Sequence, residues 1–204
     1  MKTYQIHLIR HGLTEGNLNG QYIGSTDLPL ADLGREQLQE MADSRDYPGA
    51  GAFFTSPMKR CTETLSILYP AAAQIVMDGL RECDFGDFEG LTAEQLAEFP
   101  EFSDWIDGKI PAPPRGEPGE KFASRISEAF EGIVNGLLKT GITSAVVVTH
   151  GGVISALLSR YGLPEASPAE WHCDPGMGFS VRIHPRLWMT DRVVEVFARV
   201  GEWF

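Results

Sequence analysis

Apolar residues gather in short continuous runs, each followed by a polar, glycine-bearing loop and then by residues at helical spacing. Tyr4 to Ile9 reads as a buried strand, Ala52 to Thr55 as a second, Ile75 to Met77 as a third and Ala145 to Thr149 as a fourth. Helices are predicted from about Gly34 to Ser44 and from Ser56 to about Tyr69, the latter with serine as N-cap and Pro57 at its first position. Two more are expected, one along Phe122, Ile126, Phe130, Ile133, Val134 and Leu137, the other from Gly151 to about Tyr161. The polar stretch Thr14 to Asp27 reads as a loop, and Gly178–Ile183 with Arg192–Phe197 as a terminal hairpin joined by a turn. This alternation predicts an α/β chain: a three-layer α/β/α sandwich around a mostly parallel central sheet, a single domain over residues 1–204.

The regularity breaks from Gly79 to about Pro118, where aromatics (Phe99, Phe102, Trp105) lead into Pro111-Ala112-Pro113-Pro114. A stretch this long predicts a small cap inserted after strand three, at about 84–121.

The chain has 204 residues, enough for one sizeable core with such a cap. Its formal charge of −11 is the opposite of what phosphate neutralisation requires, so nucleic acid is not expected as a partner. Three cysteines (Cys61, Cys83, Cys173) at no metal-ligand spacing predict a reducing compartment, no disulfide framework and no metal. No run approaches the ~20 apolar residues that span a bilayer, and Met1 to His7 holds no signal-peptide core. The expectation is a cytoplasmic protein with no membrane partner.

The chemistry concentrates where strands end. Strand one finishes in Arg10-His11-Gly12 and strand four in Thr149-His150-Gly151-Gly152. A guanidinium beside an imidazole is costly at the end of a buried strand, and ligands of open α/β sheets gather at such ends. Parallel pairing would bring His11 and His150 to one edge, joined by Arg60 from the helix after strand two and by two helix starts, one of them at Gly151. Singly, each residue has an ordinary reading: Arg60 as a surface helix residue, His11 as a satisfied interior histidine. Sharing one edge is what sets them apart. They predict a site for a small multiply charged anion, phosphate above all, because guanidinium forks match its oxygens. The expected partner is therefore a small phosphorylated substrate.

Ester cleavage needs more than positive charge. An unprotonated His11 can attack phosphorus and divide one hard displacement into two easier ones, while a carboxylic acid protonates the leaving oxygen. Glu82 is the leading candidate, with Asp84, Asp87 and Glu89 as rivals that spacing alone does not separate. His7, His172 and His184 follow no strand–glycine pattern and read as structural. Phe85, Phe88, Phe99, Phe102, Trp105 and Arg115 suit either a leaving-group wall or a cap core with a solvated arginine.

Arg10-His11-Gly12-Leu13-Thr14 with Asn17 resembles the signature of the histidine phosphatase superfamily, the phosphoglycerate mutase-like clan. Three further segments match in order: Ser56 to Thr64 around Arg60, Leu80 to Gly90 around Glu82, and Val148 to Gly152 around His150. Gly116-Glu117 ahead of Phe122 and Arg125 is similar to the family's cap-to-helix junction. The resemblance covers about residues 3 to 160 and implies a phosphoglycerate mutase-like fold. It implies His11 as phosphorylated nucleophile, Arg10, Arg60 and His150 as phosphate pocket, and Glu82 as proton donor. It also implies that Thr14, Asn17 and Gly24 lie near the substrate. Leu13 stands where glutamate is common and Phe88 where tryptophan is common, and neither replaces a reacting group. The compact chain resembles the α-ribazole phosphatase-like and broad-specificity phosphatases, which implies hydrolysis without a cofactor over mutase-type phosphotransfer. A non-catalytic phosphate- or phosphopeptide-binding module would lack a reacting group, and none is missing here. The oligomeric state is left open by the sequence, although the exposed edge of the terminal hairpin could pair with a second copy in a homodimer.

Overall fold

In a computed structural model, which describes residues 2–202, every strand read from the sequence joins one seven-stranded sheet of order β3-β2-β4-β1-β6-β7-β5. The strands are β1 (Tyr4–Arg10), β2 (Ala52–Thr55), β3 (Gln74–Val76), β4 (Ser144–Thr149), β5 (Gly162–Leu163), β6 (Gly178–Ile183) and β7 (Val194–Val200). Pairing is mostly parallel; β6 alone runs against its neighbours β1 and β7. The helices are α1 (Glu15–Leu18), α2 (Asp32–Ser44), α3 (Lys59–Leu68), α4 (Ala93–Leu96), α5 (Pro100–Ile106), α6 (Gly119–Thr140), α7 (Gly151–Tyr161) and α8 (Pro185–Asp191).

Strand alternation explains the layers. Ile6 and Leu8 of β1, with Ala145 and Val147 of β4, face one core built with α6 and α7. Ile9, Val146 and Val148 face the other, built with Leu38 of α2 and Leu65 of α3. Covered on both sides, β4 is apolar from Ala145 to Val148 rather than alternating. The expected three-layer α/β/α sandwich is what forms. Helix α6 buries Ile126, Phe130, Ile133, Val134 and Leu137, the stripe expected of it.

Three local readings differ. The terminal strands do pair antiparallel, but α8 replaces the turn, because Trp188 is fully buried against Phe130 and Tyr161. The polar 14–27 stretch contains α1, a single turn closed by a capping box between Thr14 and Asn17. Helix α3 starts at Lys59, with Met58 as N-cap, rather than at Pro57. Between β3 and α6 the chain forms short helical pieces whose rings pack edge to face: Phe102 lies 5.5 Å from Phe88 and Phe85 5.8 Å from Trp105. Phe88, Phe102 and Trp105 are thus cap core. Arg115 stands outside, paired with Asp87. No described helix is long and apolar enough to cross a membrane.

Candidate active site

The histidine pair follows from strand register. β1 and β4 are adjacent and parallel with Arg10 opposite Thr149, so His11 and His150 are the next residues along. The His11 amide donates to the Thr149 carbonyl at 2.9 Å. The two rings lie 5.2 Å apart, inclined at 67°. Nδ1 of His11 sits 2.7 Å from the Gly12 carbonyl. A carbonyl only accepts, so Nδ1 carries the proton and Nε2 keeps its lone pair. Burial, then the Arg60 charge and more weakly Arg10, push the His11 pKa down to about 3. His150 is lowered well below the usual histidine value, by burial first and then by His11 and Arg60. Its Nδ1 accepts from Arg60 Nε at 3.3 Å, which leaves Nε2–H to donate to Ser56 Oγ at 2.8 Å. That bond explains the later start of α3. The Ser56 hydroxyl is turned to His150 and lies 3.5 Å from the Met58 amide, too far to act as a strong cap.

Arg60 is almost wholly buried behind the histidines. Its outer nitrogens donate to the carbonyls of Thr26 (2.8 Å) and Gly24 (2.7 Å). Glu89 braces that loop, accepting from the amides of Gly24 (3.0 Å) and Ser25 (2.9 Å) and from Thr26 Oγ1 (2.7 Å). Gly24 is required by close packing, because a Cβ there would collide with the Cys83 carbonyl. Its contribution is thus to seat Arg60 and the acid loop.

Contacts separate the four candidate acids. Glu89 is occupied as a brace. Asp84 accepts from Ser25 Oγ (3.0 Å) and the Gly86 amide (2.9 Å), and Asp87 accepts from Arg115 at 2.6 Å. Glu82 alone of the four faces the central cavity. Its carboxyl takes the amides of Cys83 at 3.0 Å and Gly152 at 2.9 Å. Burial raises its pKa against the opposing pull of those amides and of Arg60 and Arg10. Gly152 lets Glu82 come this close: a Cβ on it would stand 2.5 Å from the carboxylate.

The cavity holds about 340 Å³ and is lined by Arg10, His11, Asn17, Gln21, Tyr22, Glu82, Phe85, Gly151, Ser155 and His172, among others. Arg10 donates from Nη1 to the Cys173 carbonyl at 2.8 Å, while its Nε is buried with no partner among the described residues. Of the residues expected from sequence, Arg10, His11, Glu82, Asn17 and Gly151 line the cavity. Arg60, His150, Thr14 and Gly24 support it from behind, with Thr14 fully buried in the α1 cap. His7 is structural as expected, bonded to Ser180 at 2.7 Å. His172, expected to be structural, is exposed and lines the cavity with Ser155. No sequence pattern marks His172, whereas Ser155 stands one helical turn after Gly151 on α7.

Known proteins are similar to this chain in sequence and fold. The model for the histidine phosphatase superfamily (branch 1) matches residues 6–195. A sedoheptulose 1,7-bisphosphatase of Saccharomyces cerevisiae is 30% identical over 152 residues, 63% of this chain and 55% of that one. The chain thus spans little more than half of that relative's length. An Escherichia coli O1:K1 protein named "Probable phosphoglycerate mutase GpmB" is 29% identical over 78% of this chain and 76% of its own. Among solved structures, an α-ribazole phosphatase from Shigella flexneri superposes with a TM-score of 0.80 at 22% identity, covering 97% and 96% of the two chains. A protein of Thermus thermophilus does so with a TM-score of 0.71 at 27% identity, covering 96% and 98%.

Proposed function

Because the chain belongs to the histidine phosphatase superfamily, we propose that it hydrolyses phosphomonoesters of small metabolites through a phosphohistidine on His11. The observation that carries this reading is an unprotonated His11 Nε2 in a cavity that also presents Arg10 and the Glu82 carboxyl. Arg10, with the buried positive charge of Arg60 and the histidine pair behind it, binds the phosphoryl group and offsets charge developing on its oxygens. The His11 lone pair forms the N–P bond as the ester P–O bond breaks. The leaving oxygen takes the Glu82 proton and departs as an alcohol. The Glu82 carboxylate then removes a proton from water as the water oxygen attacks phosphorus. The N–P bond breaks, inorganic phosphate leaves, and both residues return to their starting states. No metal or cofactor enters these steps.

Two similar proteins are named for hydrolysis, sedoheptulose 1,7-bisphosphatase and α-ribazole phosphatase, and one for mutase activity. A cavity open to water, with the Glu82 carboxyl there to activate it, supports hydrolysis. Incubation with a radiolabelled ester followed by denaturing quench should trap phosphate on His11. His11→Ala should lose both the label and activity, the latter by at least ~10³-fold. Retained turnover in that variant overturns the mechanism. Rapid isomerisation of 3-phosphoglycerate with its bisphosphate cofactor, with little free phosphate, assigns mutase activity instead.

A further inference from the structure

The cavity wall away from His11 is built of hydrogen-bonding groups of no fixed charge and of rings. Gln21, Ser155 and His172 stand beside Tyr22 and Phe85, whose rings meet edge to face at 5.6 Å. The His172 segment is pinned on both sides by the site itself. Ser155 Oγ of α7 donates to the Trp171 carbonyl at 3.3 Å, and Arg10 Nη1 donates to the Cys173 carbonyl at 2.8 Å. Trp171 and Cys173 are buried while His172 between them is exposed, so a fixed backbone presents one imidazole to the cavity. The same arginine that faces the phosphoryl position thereby sets the far wall. Gln21 is fixed as well: its side-chain amide donates to the Gly90 carbonyl at 2.7 Å, leaving its oxygen as an acceptor.

We propose that Gln21, Ser155 and His172, with the Tyr22–Phe85 ring pair, form a subsite for an uncharged, hydroxyl-bearing leaving group with a flat or apolar face. The preferred substrates are then monophosphate esters of neutral sugars or nucleosides, not compounds with a second phosphate or a carboxylate. This deepens the phosphatase reading and rests on it. Among the described residues, Arg10 is the one guanidinium on the cavity wall and serves the transferred phosphoryl group. A second anion would face neutral dipoles and the Glu82 carboxyl, whereas hydroxyls find a donor and an acceptor on His172 and an acceptor on Gln21. Sites built to hydrogen-bond a hydroxyl discriminate strongly against ligands that leave those groups unpaired.

The test compares kcat/KM for ribose 5-phosphate and a nucleoside 5′-monophosphate with that for 3-phosphoglycerate and fructose 1,6-bisphosphate, with p-nitrophenyl phosphate as reference. The neutral-alcohol esters should be favoured at least ~10-fold. His172→Ala should lose about tenfold on them, chiefly in KM, and His172→Gln should recover most of the loss. Preference for the doubly anionic compounds, or none at all, overturns the subsite while leaving the phosphatase reading intact. An equal loss on every ester in His172→Ala, p-nitrophenyl phosphate included, also overturns it by assigning the residue a merely structural role. Failure of the wild-type protein to release phosphate from any ester overturns the phosphatase reading, and the subsite with it.

Discussion

Burial acts on His11 and Glu82 as one cause with opposite effects on their protons. Desolvation penalises charge, so it pushes the imidazole pKa down and the carboxyl pKa up. One becomes a nucleophile and the other an acid, within the same cavity. The pH dependence follows. Activity should fall at high pH as Glu82 ionises through a pKa above the usual glutamate value, and at low pH only as His11 protonates near 3. In Glu82→Gln the high-pH limb of kcat/KM should vanish. Rates on alkyl phosphates should drop by about 10²–10⁴-fold, with a smaller loss on p-nitrophenyl phosphate, whose leaving group needs little help from a proton. An unchanged profile would remove Glu82 from the proton-donor role. At this scale Arg10, His11 and His150 were legible because charged groups at strand ends announce themselves. Glu82 was separable from Asp84, Asp87 and Glu89 only by their contacts. His172 left no local signal, since Ser155 and Arg10 hold its segment from elsewhere in the chain.

Among the elements, α6 does more than cover the sheet. Its Arg125 reaches the acid loop and donates to the carbonyls of Gly79 (3.1 Å), Arg81 (2.9 Å) and Glu82 (3.3 Å). Glu117 holds the guanidinium from the other side at 3.0 and 2.7 Å. This ion pair is mostly buried, with side-chain exposures of 17% and 10%. Removing one partner strands the other charge, so Arg125→Ala should cost about 3 kcal/mol of stability and slow the enzyme by loosening the backbone that carries Glu82. A urea unfolding series gives the first quantity; an unchanged midpoint would show that the clamp contributes little. Element boundaries were less legible than element types. The start of α3 moved because Ser56 serves His150, and β5 escaped notice because two residues carry no periodicity. Helix α8 was read as a turn because only burial of Trp188 in the core makes that short segment cohere.

On the scale of the whole molecule, a cationic site sits in a chain of net charge −11. Screening over about 8 Å at physiological salt leaves binding to the local groups. Acid should weaken the fold through its buried histidines. His7, His11 and His150 all have folded pKa values below the ordinary 6.5, so the unfolded chain binds more protons. Their contribution is present above 6.5 and lost as pH falls toward the folded values, at up to about 1.4 kcal/mol per pH unit for each group. Glu82, with its raised pKa, acts in the opposite direction, giving stability below 4.5 that is lost as pH rises through its folded value. Three groups against one should lower the thermal midpoint between pH 7 and pH 5. A midpoint that rises over that interval would contradict the buried, neutral state of the histidines.

The way the cap is attached has a consequence for how such a protein diversifies. It leaves and rejoins the domain through one short seam: the Tyr22 amide to the Leu91 carbonyl, Asp87 to Pro114, and Glu117 to Asp84, at 2.9, 2.9 and 2.8 Å. The reacting histidines are locked to a strand ladder on the other side of that seam. The segment between Thr92 and Pro113 rests its Phe102 and Trp105 rings on Tyr22, Phe85 and Phe88, so changes there reshape the cavity wall while the ladder keeps the histidine spacing fixed.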